Sequence, residues 1–406
     1  MNKIEKLIEE LCPQGVAFKE MWEVTIWDKR FNGVSKEKQA RVLSFKHISA
    51  KHLKDLEASN GEIKLLATGQ FDGWTTKELA GNNLNNGEVI TIPSGGSANL
   101  KYYKGEFVDS GNILGSSLDN KILNLGYFYY YLLTKNDLIE SCFRGSGVKH
   151  PDMPKILSIQ IPIPPLAIQK EIVKILDNFT RLEAELEAEL EARKKQYEYY
   201  REELLTFGDD VEWKTLGEVC EFMNGKGHEK KIDENGKYIV VNSKFVSTEG
   251  KVKKYSVEQI SPIFKDDILM VMSDLPNGKA LAKCFHVDQN DKYTLNQRIC
   301  SLTVKDNDNL NAKYLFFILG RNRQLLRYDN GVDQTNLRKN DILKVQIPIP
   351  PLTIQKEIVA ILDKFDTLIN DISIGLPAEI AARKKQYEYY RNQLLTFKPL
   401  ELQDAN

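Results

Sequence analysis

Two α+β modules, each closed by a long charged helix, are the fold class that this 406-residue sequence predicts, and three observations predict it. The segment Ile161–Leu176, IPIPPLAIQKEIVKIL, returns as Ile347–Leu362, IPIPPLTIQKEIVAIL, identical at 14 of 16 positions. Its far end returns too: ARKKQYEYYREELLTF at Ala192–Phe207 reappears as ARKKQYEYYRNQLLTF at Ala382–Phe397, again 14 of 16. The stretches before each copy have diverged strongly and read as mixtures of strands and short helices. A repeat this long is no solenoid; it reads as an internal duplication of pseudo-twofold design.

The chain begins with MNKIEKLIEELCPQG, a short amphipathic helix with Ile4, Leu7, Ile8 and Leu11 on one face and without the apolar core of a signal peptide. The first module follows from Val16, and its opening VAFKEMWEV aligns loosely with VEWKTLGEV at Val211–Val219, where the second starts. Gly87–Pro93, Lys237–Val246, Asp267–Ser273, Ala280–Val287 and Arg298–Val304 carry the β-branched, alternating pattern of strands. Leu125–Leu133 and Ala312–Leu319, rich in aromatic residues, predict short buried helices. The domain division is therefore 1–157, a central helix 158–208, 209–342, and a C-terminal helix 343–406.

Each module ends on IPIPP, whose prolines hold the chain extended and block a helix until Leu166 or Leu352. Apolar residues then step by 4 and 3, as Ile168, Ile172, Ile175, Phe179, Leu182 and Leu186, and as Ile354, Ile358, Ile361, Phe365, Leu368 and Ile372. That is the seam of a coiled coil, here predicted antiparallel. The first copy inserts a four-residue LEAE rhythm at Leu182–Leu190, a stutter that locally unwinds a supercoil. The second adds a further step and contains Gly375, read as a C-terminal cap, and Pro377, read as opening a new helical segment. One reading makes the helices a spacer alone. The other adds a docking face for a partner on the unchanged RKKQYEYYR, with Arg193, Lys194, Tyr197, Arg383, Lys384 and Tyr387 as candidates.

Composition narrows the function classes. Lys plus Arg number 56 against 57 Asp plus Glu, so no global basic field marks a nucleic-acid partner, though a local basic face suffices for phosphate. Five widely spaced cysteines without C-x-x-C predict reduced thiols and a cytoplasmic location, and no apolar run is long enough for a membrane helix. Phosphate cradles of the G-x-G-x-x-G or G-x-x-x-x-G-K-[ST] type are absent, and the five histidines make no H-E-x-x-H. No catalytic set, metal site or resident cofactor is expected. Near-identical helices beside diverged modules suit two copies of one partner on the helices and two different targets on the modules. A coiled-coil scaffold binding proteins through both modules is the alternative.

With its markers PIPPLAIQKEIVKILDNF, PIPPLTIQKEIVAILDKF, the LEAE repeat and RKKQYEYYR before each LLTF, the whole chain resembles the DNA-specificity subunit of Type I restriction–modification systems. The resemblance implies that the modules are target recognition domains, each reading half of a bipartite, asymmetric double-stranded DNA site. It implies that the helices set the spacing and hold two modification subunits, which carry S-adenosylmethionine and methylate adenine, with restriction subunits completing the complex. Contacts to DNA then fall to module loops. In the first module these are Ser94, Ser97, Asn99, Lys101 and Tyr102, with Arg144, Lys149 and His150. In the second they are Asn242, Lys244, Asn277, Lys279, Asn296, Gln297 and Arg298, with Gln334 and Arg338 in a loop equivalent to Arg144–His150. Amides suit adenine edges and ammonium groups suit phosphate.

Overall fold

The computed structural model describes residues 3–276, 278–371 and 373–400, so Asn277 and Ile372 lie outside the described residues. The chain folds as two compact units, one reaching Leu186 and resuming at Ile380, the other Glu187–Glu379. The helix Leu166–Leu204 is continuous through the LEAE repeat and belongs in part to each.

The strands of the first unit are β1 (Phe18–Glu20), β2 (Thr25–Trp27), β3 (Ile63–Ala67), β4 (Asp72–Thr75), β5 (Asn85–Pro93), β6 (Lys101–Ser110), β7 (Asn112–Ser117), β8 (Phe143–Arg144), β9 (His150–Pro151) and β10 (Gln160–Pro162). Six of them form one sheet in the order β2-β7-β5-β6-β3-β4, in which β3 and β6 run parallel and the other pairs antiparallel. Gly115 on β7 is required, because a Cβ there would stand 2.6 Å from the Trp27 ring that lies across it. Against the sheet packs the aromatic helix Leu125–Thr134, where Tyr127, Phe128 and Leu132 are buried with Ile90, Ile92, Ile168, Ile172 and Leu176. Burying each such side chain is worth about 1.5–3 kcal/mol.

The second unit carries β11 (Glu212–Thr215), β12 (Cys220–Asn224), β13 (Tyr238–Val241), β14 (Tyr255–Ser256), β15 (Ile268–Val271), β16 (Ser273–Asp274), β17 (Cys284–His286), β18 (Tyr293–Leu295), β19 (Ile299–Val304), β20 (Thr335–Asn336) and β21 (Gln346–Ile349). Its sheets are smaller, β12-β19-β15-β17 and β14-β13-β18. The strand expected over Lys237–Val246 ends at Val241, because the Asn242 side chain accepts a hydrogen bond from the Phe245 N–H and starts the helix Ser243–Ser247. The strand expected over Ala280–Val287 shortens to Cys284–His286, since the Asp274 carboxylate takes the N–H groups of Ala280 and Leu281 into a loop. The aromatic helix Ala312–Leu319 fills the core as its counterpart does.

Both units close in the same way. The entry strand pairs antiparallel with the IPIPP strand, β1 with β10 and β11 with β21. Gln169, fully buried, accepts the Asn124 N–H at 2.8 Å and donates to the Ile122 and Pro164 carbonyls, both at 2.8 Å. Gln355, equally buried, accepts the Asn311 N–H at 2.8 Å and donates to Asn309 and Pro350 at 2.9 and 2.8 Å. Asn124 and Asn311 in turn cap the aromatic helices, whose Tyr127 and Tyr314 hydroxyls donate to the Pro162 and Pro348 carbonyls. One side chain thus ties the long helix to the aromatic helix through three backbone groups.

The long helices use two faces rather than one seam. Ile168, Ile172 and Leu176, like Ile358 and Leu362, enter the module cores, whereas Leu182, Ile354 and Ile361 are 39–40% exposed. In the first unit Phe179 stacks on Tyr390 and meets Tyr387; in the second, Phe365 stacks on Tyr200 and meets Tyr197. The second long helix is broken, Leu352–Asn370 and Leu376–Leu394, with Pro377 in the first turn of the new segment where its missing N–H costs nothing. Gly375 is not the cap: the helix ends at Asn370 with Asp371 as its C-cap, and Gly375 instead lies against the carbonyls of Thr367, Leu368 and Asp371, within 2.8 Å of where a Cβ would stand.

Replacing Gln169 or Gln355 by Leu removes three hydrogen bonds to the backbone and is expected to destabilise its unit by about 2–4 kcal/mol in chemical denaturation. A change below about 0.5 kcal/mol contradicts the clamp.

Candidate nucleic-acid interface

In the first module the predicted residues gather at one end of the sheet. Past β5 the chain turns at Ser94–Gly96, and here it meets the segment between β8 and β9: the Ser94 carbonyl lies 2.6 Å from His150 Nδ1, and the Gly96 N–H donates to the Lys149 carbonyl at 2.8 Å. Gly145, at φ +147, turns that segment where a side chain would stand 2.7 Å from the Val148 carbonyl. Arg144, Lys149, His150 and Ser97 are exposed. Arg144 and Lys149 stand 3.8 and 4.0 Å from Asp152 and Glu140, long exposed ion pairs that a phosphate replaces at little cost.

Three predicted residues are committed to the scaffold. Asn99 donates to the Thr68 and Gly69 carbonyls, and the half-buried Lys101 donates to those of Ala67 and Phe71, so both hold the β3–β4 turn beside the other two loops. Burial pulls the Lys101 ammonium below its usual range. Tyr102 donates to Glu88 at 2.8 Å and stacks on Tyr129.

Beneath these loops sits a network the sequence did not announce. His47 bridges two fully buried carboxylates, Nε2 to Asp28 at 2.9 Å and Nδ1 to Asp109 at 2.7 Å. Asn112 donates to Asp109 as well, and its neighbour Gly111 receives the Ser94 N–H. Hydrogen bonds to Asp109 and then Asp28 raise the His47 pKa to about 9. His228 is a satisfied core histidine between the Lys226 carbonyl and Thr294.

The second module builds the corresponding end from other residues. β16 continues β15 and pairs with β20, so the loop after Asp274 lies beside the segment 328–338. Met272 joins them, accepting the Leu337 N–H while its own N–H donates to the Arg298 carbonyl, and the Asn296 N–H donates to Val241. Asn296, Arg298 and Asn242 are thereby brought together with Gln334, whose amide donates to Ser273 at 2.8 Å. Arg298 takes a left-handed φ of +68 with its side chain exposed. Asn242 caps a helix, Arg338 stands at an N-cap position with its N–H donating to Asp341, Lys244, Lys279 and Gln297 are exposed, and Asn277 lies outside the described residues.

On the helices, Arg193 and Lys194 pair with Glu189 and Glu191, Arg383 bonds Gln386, and Lys384 reaches Glu183 at 3.3 Å. Tyr197 and Tyr387 are not free faces: both are half-buried on the phenylalanines of the facing helix, and burial pushes the Tyr197 hydroxyl up to about 12. Arg201 is also structural, donating to the Phe317 carbonyl at 2.7 Å and to that of Gly320. The outward aromatic residues are Tyr199 and Tyr389. No group of three or more metal-ligating side chains occurs among the described residues, nor any helix long and apolar enough to cross a membrane.

The architecture is that of a binding chain with two α+β modules, each offering a polar loop cluster. The family model for the Type I restriction modification DNA specificity domain matches residues 45–192 and 208–382. The chain is 38% identical over 303 residues to the Type I restriction enzyme EcoR124I/EcoR124II specificity subunit of Escherichia coli, covering 69% of this chain and 72% of that one. It is 24% identical over 419 residues to the MjaVIII specificity subunit of Methanocaldococcus jannaschii, covering 95% and 94%. Its fold is that of the Type I S subunit from M. genitalium, with a TM-score of 0.60 at 15% identity over 94% of this chain and 96% of that one. The chain belongs to the Type I restriction–modification DNA specificity family, and as a specificity subunit it is not itself a catalytic one.

Because the folded His47 pKa lies near 9 and the unfolded value near 6.5, its contribution is complete below about pH 6.5 and is lost as pH rises through 9. The melting-temperature gap between the wild type and His47→Gln is expected to shrink across that window. A constant gap contradicts the charged bridge.

Proposed function

We propose that this chain reads a bipartite, asymmetric double-stranded DNA site, one half-site per module, for a Type I restriction–modification complex. The observation that carries this is the loop cluster at the same place in both modules, after β5 and after β15, assembled from different residues. A matched mount on the long helix, with unmatched sheets and loops, suits two readers of unlike sequence. Ser94, Ser97, Arg144, Lys149 and His150 serve the first half-site, and Asn242, Lys244, Asn277, Lys279, Asn296, Gln297, Arg298, Gln334 and Arg338 the second; Asn99, Lys101 and Tyr102 position the loops around them. The functional division is 1–157, 158–208, 209–342 and 343–406, the product of an internal duplication.

The helices form an antiparallel coiled coil that sets the spacer and docks two methyltransferase subunits, which bring S-adenosylmethionine; restriction subunits complete the complex in the cytoplasm. Support for the direction comes from the first unit, where Phe179 meets Tyr390 and the later Glu183 meets the earlier Lys384. Arg193, Lys194, Arg383 and Lys384 belong to the docking face, with Tyr199 and Tyr389 in place of Tyr197 and Tyr387.

Replacing residues 16–157 by the module of another system is expected to change one half-site and leave the other intact, read from the methylated motif; loss of both contradicts independent readers. A second outcome concerns the LEAE repeat. One further Leu-Glu-Ala-Glu after Glu189 adds about 6 Å of helix, against about 3.4 Å per base pair of DNA. Both half-sites stay and the unspecified spacer grows by about one or two base pairs. An unaltered spacer at full activity shows that the repeat is not the ruler.

A further inference from the structure

Each module carries an exposed valine in its loop cluster that the polar candidates leave out; in the second, Leu275 in the loop after Asp274 is exposed as well, at 69%. Val148, between β8 and β9, is 66% exposed, and Val332, before β20, is 75% exposed. Single exposed valines are ordinary on a protein surface. These two, however, occupy equivalent positions in diverged modules, between the aromatic-helix region and the short helix that leads into the IPIPP strand, and each follows a glycine, Gly147 or Gly331.

Both tips are held in place rather than left loose. Val148 is seated on Gly95, where any Cβ would stand 2.9 Å from its Cγ1, and the β8–β9 pairing fixes the flanks of its loop. Val332 is fixed by Asn330, whose Oδ1 accepts the N–H groups of Val332 and Asp333 at 2.9 and 3.0 Å, while Asp329 accepts the N–H of Gly331 at 3.0 Å. A turn held by such bonds loses little backbone entropy when the methyl pair at its tip is covered. In the chain, Arg144 and Lys149 lie to either side of Val148, and Arg327 and Arg338 to either side of Val332.

Resting on the DNA-reading function proposed above, we propose that Val148 and Val332 are specificity-determining residues, each covering the 5-methyl group of a thymine in the major groove of its half-site. That methyl is the one apolar feature among the major-groove base edges. Intercalating wedges are the longer Phe, Leu, Ile, Met or Pro, and they enter the minor groove; a short, branched Val suits lateral contact with a methyl.

The test uses the chain assembled with its methyltransferase partners and duplexes of the complex's own site, in which each thymine in turn is replaced by uracil, removing only the methyl. Wild-type complex is expected to bind about fourfold more weakly at one substituted position in each half-site, the worth of one buried methyl. Val148→Ala should abolish that sensitivity in the first half-site and leave the second unchanged, and Val332→Ala should do the reverse. A uracil profile that neither variant alters, or no sensitive thymine in the wild type, overturns the assignment while leaving sequence-specific binding intact. A complex that prefers no sequence at all overturns the DNA-reading function beneath it.

Discussion

A buried glutamine, used twice, is the constraint on which the rest of this structure depends. Gln169 and Gln355 each sit in the first turn of a long helix and satisfy an N–H and two carbonyls of the chain around a helix cap. A fully buried amide left unmatched is costly, whereas a fully matched one permits a single geometry. The orientation of each module on its helix is therefore set by backbone groups and not by the residues the module presents to solvent. That separation lets the loops change without disturbing the mount.

The two modules bear this out in what they keep and what they vary. Entry strand, IPIPP strand, aromatic helix and the LLTF end of the facing helix recur, with Phe397 against Tyr127 in the first unit and Phe207 against the core in the second. The sheets between them do not recur: six strands in one, four and three in the other. The unchanged RKKQYEYYR is accounted for in part by this mount, since its first and third tyrosines pack on a phenylalanine in both units. Packing on the phenylalanines does not account for Arg193, Lys194 and Tyr199 or their counterparts.

Much of this was legible in the sequence because repetition exposes constraint. The helix starts at Leu166 and Leu352, the unbroken LEAE rod and the break near Pro377 follow from proline chemistry and period. The glutamine clamp was visible only as IQ in each copy; the matching Leu-Asn before each aromatic helix, Leu123-Asn124 and Leu310-Asn311, was the signal for its partner. Heptad spacing does not say whether a helix faces another helix or a module, and of the seam positions Ile168, Ile172 and Ile358 are buried in the module cores. Loop roles were the least legible. Asn99 and Lys101 look like DNA contacts by type, yet carbonyls of a turn some thirty residues earlier hold them, a long-range pairing that local pattern does not encode.

Two independent readers, each on its own helix mount, are proposed to define one split site. The most direct measurement is a genome-wide map of methylated adenines in cells carrying this chain with its partner subunits, compared with cells lacking the chain. One motif that depends on the chain is expected, made of two unlike specified blocks separated by a spacer of fixed length and free sequence. A single continuous motif, or a methylation map unchanged by removing the chain, contradicts it.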